Sequence, residues 1–287
     1  MYEIVKHYRN DSALRASFNA LAEKTFGLDF EGWYQNGFWG DNYDPYSVVI
    51  DGKVAANVSV NRTDMVFGGK RRKLLQLGTV MTDENYRNRG LIRAIMAEVE
   101  KDFPDVDGMY LFGNDSVVDF YPKFGFRKGT EYLYTKTVCL DGECEMEQIP
   151  MRTGADWVLL QKAMDASVFR GGCDMVDNSG LIFFYVSQFM QECVFYSKTL
   201  DAWAIAEREG EELLLHNVFA AKAVSLNEVI RAFGSGVKRV TLGFALADGA
   251  DFEKREHHEE DCTFFVKGDC FGEFEAGCLR IPSLSHA

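Results

Sequence analysis

Gln76-Leu77-Gly78-Thr79-Val80-Met81-Thr82, followed by Tyr86-Arg87-Asn88-Arg89-Gly90-Leu91-Ile92, is the stretch on which the reading of this chain turns. The run Leu74 to Thr82 reads as a strand, and Asp83 leads from it towards a helix whose Leu91, Ile92, Ile95, Met96, Val99 and Phe103 form one apolar stripe before Pro104. A strand that passes through a short loop into a helix leaves several backbone N–H groups unpaired at one spot, with the positive end of the helix dipole behind them. Such a spot suits a phosphate. Gly90 allows close backbone approach, and Arg87, Arg89 and Arg93 place three cations around the first turn. These residues alone suit an arginine-rich solvated turn equally well.

Working outward, the preceding residues read as a strand (Tyr2 to His7), then a helix opened by Asp11 with Leu14, Phe18 and Leu21 at helical spacing. An aromatic loop follows, then two strands (Tyr46 to Ile50, Val54 to Asn61) joined at Asp51-Gly52, and a turn at Gly68-Gly69. Beyond the helix come a buried strand from Met109 to Phe112, a short helix near Asp115 to Tyr121, and strands around Phe124 to Arg127 and Tyr132 to Val138. The order is mixed α/β around one sheet. Residues 140–150 are polar and aperiodic, which divides the chain into units 1–140 and 150–287.

The second unit reads as helices at Asp156 to Met164 and Leu181 to Tyr196, a hairpin of Ala202 to Glu207 with Glu212 to Phe219, a helix from Ser225 to Phe233 and a strand from Val237 to Phe244. This strand, helix, strand spacing repeats that of Leu74 to Phe112, the pattern of a diverged duplication.

Bulk properties narrow the classes. The chain has 287 residues, 47% hydrophobic and 14% aromatic, enough for a sizeable core. No window approaches a membrane span, and the N-terminus lacks the regions of a signal peptide. Seven cysteines without a Cys-x-x-Cys pair suit reduced thiols and a cytoplasmic location. A net charge of −13 argues against a nucleic-acid partner, because phosphate backbones are bound by basic surfaces.

Asn114 follows the strand Met109 to Phe112, and Asp119-Phe120-Tyr121-Pro122-Lys123-Phe124-Gly125-Phe126 comes next. Strand, Arg-x-x-Gly loop, long helix, strand and an aromatic-Tyr-x-x-Phe-Gly-Phe element together resemble the acetyl-CoA motif region of the GNAT superfamily of N-acetyltransferases, over about Ser47 to Val138. The family pattern usually carries Gly or Ala two residues after the loop glycine; here Ile92 stands there.

The resemblance implies a mostly antiparallel mixed sheet flanked by helices, followed by a smaller, degenerate GNAT-like unit. It further implies that Val80, Met81 and Thr82 pair with the pantetheine arm of acetyl-CoA, and that Arg87, Asn88, Arg89, Gly90, Leu91 and Ile92 cradle its pyrophosphate. Tyr121 becomes the candidate acid for the departing thiolate and Asn114 the start of a water chain; Tyr121 also reads as a packed aromatic in a turn. Asp41, Glu84, Asp115 and Asp119 are candidate bases, each equally a surface carboxylate. In some two-part relatives the terminal carboxylate reaches the site, which raises Ala287. The acceptor would be a small-molecule or peptide amine. A non-catalytic acyl-CoA-binding or regulatory protein is the alternative.

Trp33, Tyr34, Phe38, Trp39 and Asp41, with Phe30, Tyr43 and Asp44, form either an acceptor pocket for a cation with an apolar body or a satellite core tying the first helix to the sheet. Lys70-Arg71-Arg72-Lys73 reads as a solvated turn, and Gly234-Ser235-Gly236 as a turn because a strand follows it. His257, His258, Cys262, Cys270 and Cys278 lack a clamp spacing, so no metal is expected. Without an Arg-x-x-Gly loop the second unit is not expected to bind CoA; it would shape the acceptor site or an oligomer face.

Overall fold

The computed structural model describes residues 2–249 and 251–286. The first sheet has seven strands in the order Glu3–Val5, Tyr43–Ile50, Lys53–Arg62, Leu74–Thr82, Gly108–Gly113, Thr263–Lys267, Arg127–Lys128. All neighbours are antiparallel except Leu74–Thr82 with Gly108–Gly113. A second seven-stranded sheet runs Glu147–Gln148, Val194–Ser197, Ala202–Glu209, Glu212–Ala220, Arg239–Leu242, Glu131–Thr137, Glu253–His257, and a small three-stranded sheet joins Asp174–Met175 to the hairpin of Met65–Phe67 and Lys70–Arg72. The fold is mixed α/β with antiparallel-dominated sheets flanked by helices.

Local sequence accounts for most elements. Asp11 Oδ1 accepts from the N–H groups of Ala13 and Leu14, both at 3.0 Å, and starts the helix Ser12–Phe26. Gly27 ends that helix at φ +70°. The helix Leu91–Asp102 buries Leu91, Ile95, Met96 and Val99 on the first sheet, while Ile92 and Phe103 of the expected stripe sit partly buried at its edge. Asp51-Gly52 and Gly68-Gly69 all adopt positive φ, as two-residue hairpin turns require.

Long-range pairing departs from the local reading. The expected strand Tyr132 to Val138 forms, as Glu131–Thr137, but in the second sheet, because both its partners, Arg239–Leu242 and Glu253–His257, lie more than a hundred residues later. Conversely, Thr263–Lys267 enters the first sheet beside Gly108–Gly113. Its side chains alternate between two cores: Phe264 and Val266 join the core shared with the second sheet, while Phe265 packs with Leu111, Met109 and Ile95 on the helix side. The division of the chain at 140–150 and the division into sheets therefore do not coincide.

The helix expected over Leu181 to Tyr196 is Ser179–Gln188; the β-branched and aromatic Val194-Phe195-Tyr196 instead pair with Ala202–Glu209. The charge-rich stretch after Asp251 contains the strand Glu253–His257. In place of one short helix near Asp115 to Tyr121 there are two 3-10 turns, Asp115–Val117 and Tyr121–Phe124, with Pro122 early in the second.

Both large sheets share a device. In the first, Leu74–Thr82 pairs in parallel with Gly108–Gly113 only through Leu74 to Gln76, then diverges; its antiparallel register to Lys53–Arg62 breaks between Asn57 and Ser59. In the second, Glu212–Ala220 pairs in parallel with Arg239–Leu242 only through Glu212 to Leu215, and the adjoining register breaks between Ile205 and Ala206. The second divergence is occupied: Gly243 donates to Leu215 O at 2.8 Å and accepts from Ser283 N–H at 2.7 Å, which brings the C-terminal turn Ser283–Ser285 between the strands.

Candidate active site

The first divergence is open. It gives onto a cleft of about 1000 Å³ that runs from the first turn of Leu91–Asp102, past Leu77 to Thr82, to Asn114 and Tyr121. A β-bulge shapes its floor. Gly78 faces Ser59 and Met81 faces Asn57, so Thr79 and Val80 fall outside the ladder, with Thr79 at φ +47°. The extra residue reverses the side-chain alternation: Leu75, Leu77 and Val80 share the helix side, while Met81 joins the aromatic core on the other.

A buried polar chain holds this bulge. Asn57 Nδ2 donates to Thr79 O at 2.9 Å and to Ser59 Oγ at 2.9 Å, and Asn57 Oδ1 accepts from Ser47 Oγ at 2.8 Å. The Ser47 hydroxyl also bonds Tyr8 Oη at 2.7 Å. On the aromatic side Tyr43 Oη meets Thr79 Oγ1 at 2.6 Å. Asn57 is a residue that sequence reasoning missed, since an asparagine inside a strand announces itself only once its partners are known.

At one end of the cleft, Asp83 caps the 3-10 turn Glu84–Tyr86 through Asn85 N–H at 3.0 Å. Asn88 (φ +61°) and Gly90 (φ +74°) then reverse the chain into the helix. No side chain caps this helix, so its first N–H groups face the cleft with the dipole behind them. Open space surrounds the position a Gly90 Cβ would take; glycine is required there by φ. Arg87, Arg89 and Arg93 are exposed, and Lys123 also lines the cleft. Arg89 reaches Asn85 O at 2.8 Å and lies over Tyr86, and Arg93 lies over Phe124. Among the described residues none of the four forms an ion pair, although the chain is strongly acidic.

Beyond the divergence, Tyr121 is 6% exposed, and its ring packs at 5.2 Å on Phe265 and lies against Gly113, where a Cβ would come within 2.7 Å of it. Burial pushes its hydroxyl up to about 12, so it stays protonated at neutral pH. Asn114 is exposed and donates to Asp261 Oδ2 at 3.0 Å; Asp261 Oδ1 accepts from Asp115 N–H at 2.9 Å. These bonds hold the Asp261 carboxyl below its usual range. Thr263 Oγ1 engages Asp115 at 2.9 Å.

The structure divides the remaining expected residues. Trp33 borders the cleft, but it is buried and its Nε1 donates to Gly180 O at 2.8 Å. Trp39 is buried and donates to Tyr43 O at 2.9 Å. Tyr34 stacks under the Arg15 guanidinium, Phe38 packs on Trp157 and Phe183, and Asp41 pairs with Arg9 at 2.6 Å. Tyr34, Phe38, Trp39 and Asp41 do not line the cleft. The group packs as the satellite core alternative describes, around Phe18, Phe30 and Phe184. The basic run at 70–73 is likewise structural at Arg71, which pairs with Asp64 and Asp177, and at Arg72, which pairs with Glu273.

The far wall comes instead from Phe26 and Leu28 and from the helix Ser179–Gln188 with its following residue Phe189. The run Leu181-Ile182-Phe183-Phe184-Tyr185-Val186 is apolar on every face, the one sequence signal of a helix packed on more than one side. Tyr185 Oη donates to His286 O, the His286 ring stacks on Phe112 at 3.8 Å, and Tyr110 Oη donates to Ser285 O at 3.0 Å. Ala287 lies outside the described residues. Among the described residues no three His, Cys, Asp or Glu side chains converge as metal ligands, and no helix is long and apolar enough to cross a membrane.

Residues 14–129 match the family described as acetyltransferase (GNAT) domain. No curated protein sequence matches the chain. Among solved structures, a conserved protein of unknown function from Enterococcus faecalis is 14% identical with a TM-score of 0.62, covering 93% of this chain and 72% of that one. A GCN5-related N-acetyltransferase from Kribbella flavida is 16% identical with a TM-score of 0.56 over 93% and 70% of the two chains. Eis1 from Mycobacterium abscessus is 12% identical with a TM-score of 0.55 over 92% and 73%. At these identities the structural likeness is one of fold alone. The open divergence thus lies within the stretch, residues 14–129, that matches the GNAT acetyltransferase domain, in a chain that shares the fold of these structures.

Proposed function

We propose that the chain transfers an acetyl group from acetyl-CoA to a primary amine by direct attack within a ternary complex. The observation that carries this is the pairing of an uncapped helix N-terminus, ringed by arginines without carboxylate partners, with an open strand divergence that leads to a buried, protonated tyrosine. In this reading the N–H groups of residues 90–92 with Arg87 and Arg89 hold the pyrophosphate, and the bulged residues 80–82 offer backbone groups to the pantetheine amides. The neutral amine attacks the thioester carbonyl, the Val80 N–H stabilises the oxyanion, the C–S bond breaks as Tyr121 gives its proton to the departing thiolate, and the proton shed by the acylated nitrogen passes through water to restore the Tyr121 hydroxyl. Asn114, tethered to Asp261, orders water on the acceptor side. Residues 1–140 carry the chemistry, and residues 150–287 form a second GNAT-like unit whose own divergence is filled by the C-terminal turn, so it binds no CoA.

Isothermal titration with acetyl-CoA, beside an Arg87→Glu/Gly90→Asp double variant, tests the reading. Saturable binding lost in the variant is the expected result; absence of binding to the natural chain overturns it. Tyr121→Phe should then bind acetyl-CoA unchanged while kcat falls by about 10²-fold or more, the usual worth of a positioned acid. A non-catalytic acyl-CoA sensor would be indifferent to that change.

A further inference from the structure

The acceptor end of the cleft is unlike its phosphate end. The cations Arg87, Arg89, Arg93 and Lys123 gather around the helix N-terminus and the turn at Tyr121–Phe124. Across the divergence the wall is Phe26, Leu28, Leu181, Phe184, Tyr185 and Phe189. Among the described lining residues there is no Asp or Glu. The acidic candidates of the sequence lie outside this lining: Asp41 pairs with Arg9, Asp44 with His7 at 2.6 Å and Glu84 with Lys24 at 2.9 Å, Asp115 accepts from Thr263 Oγ1 at 2.9 Å, Asp119 is exposed, and Asp261, beside the cleft, accepts from Asn114 and from Asp115 N–H.

This wall is built and not incidental. Phe184 stacks on Phe30 at 5.2 Å and meets Trp33 edge-on at 5.4 Å, which fixes its ring. Phe189 then meets Phe184 at 5.9 Å. Phe26 and Phe189 remain 43% and 60% exposed at the rim, where large exposed aromatics mark a ligand groove. A polycation seated here would lose the hydration of each extra ammonium group without gaining a carboxylate. The aromatic faces would return only a part of that cost. An apolar body, by contrast, gains from burial on every wall, and its single amine enters in the neutral form that attack requires.

Resting on the acetyl-transfer reading, we infer that the acceptor is a primary amine on an aryl or alkyl body that carries no second positive charge.

Thiol release from acetyl-CoA, compared for 2-phenylethylamine, tryptamine, spermidine and a dicationic aminosugar, tests this, with acetyl-CoA affinity measured in parallel by titration. The aryl amines should exceed the polycations in kcat/KM by at least about tenfold, the scale of one or two buried apolar groups. Phe189→Glu, at an exposed rim position, should narrow that ratio by about tenfold while acetyl-CoA affinity holds. Preference for a polycation, or no turnover of aryl amines by a protein that binds acetyl-CoA, overturns the acceptor class and leaves acyl transfer standing. Preference for decanoyl-CoA over acetyl-CoA with every amine also overturns it, since the apolar wall would then serve the acyl chain. Failure to bind acetyl-CoA overturns both readings.

Discussion

Asn57 is a single side chain on which the shape of the cleft floor depends. It satisfies the Thr79 carbonyl that the bulge removes from the ladder, and it is fully buried. Asn57→Ala leaves that carbonyl and the Ser47 hydroxyl short of a partner, which should cost about 2–3 kcal/mol in a urea unfolding series. The same variant should weaken acetyl-CoA binding in titration, because the bulge loses its reason to form. Glu131 offers a different test. Its carboxyl is buried, accepts from Ile281 N–H at 2.7 Å, and is raised by burial from 4.5 to about 7. The folded state thus holds this proton more tightly, so the associated stability is full below pH 4.5 and is lost as pH rises through 7. His257 and His286 are lowered by burial from 6.5 to about 4 and about 3, and their contribution is full above 6.5 and lost as pH falls. The two slopes oppose each other between 4.5 and 6.5. Glu131→Gln should unmask the histidine slope there, read from urea midpoints across pH.

At the scale of elements, what was legible in the sequence was what short-range chemistry dictates. The strand Leu74–Thr82, the loop at residues 83–90 and the helix Leu91–Asp102 follow from alternation, turn residues and a helical stripe, all written within thirty residues. Leu74–Thr82 splays from Gly108–Gly113 beyond Gln76. The bulge that accompanies it was not legible, since Gly78-Thr79 looks like continuous strand until Asn57 is set opposite. Nor could the aromatic loop be resolved between pocket and core: Trp33 and Trp39 turned inward because the helix Ser179–Gln188 supplies Phe184 and Leu181 as partners from far along the chain. That helix also brings Tyr185 to the cleft wall, a placement no local pattern encodes.

At the scale of the whole molecule, the exchange of strands sets the terms. Glu131–Thr137 belongs to the second sheet and Thr263–Lys267 to the first, so neither sheet is complete without residues from the other side of position 150. A fragment of residues 1–150 lacks Phe265, which is fully buried and supports the Tyr121 ring, and its Gly108–Gly113 strand has an open edge. Such a fragment should be insoluble or lack cooperative unfolding by circular dichroism, and residues 151–287 supplied in trans should restore a folded complex on gel filtration. The crossing also bears on how the protein is made. About 150 residues separate Gly113 from its partner Thr263, so a ribosome adding about 5–20 residues per second leaves the edge of Gly108–Gly113 unpaired for roughly 8–30 seconds. During that interval the nascent chain presents an uncovered apolar strand to its surroundings, and the cleft beside Tyr121 is completed only once residues 263–267 have been made.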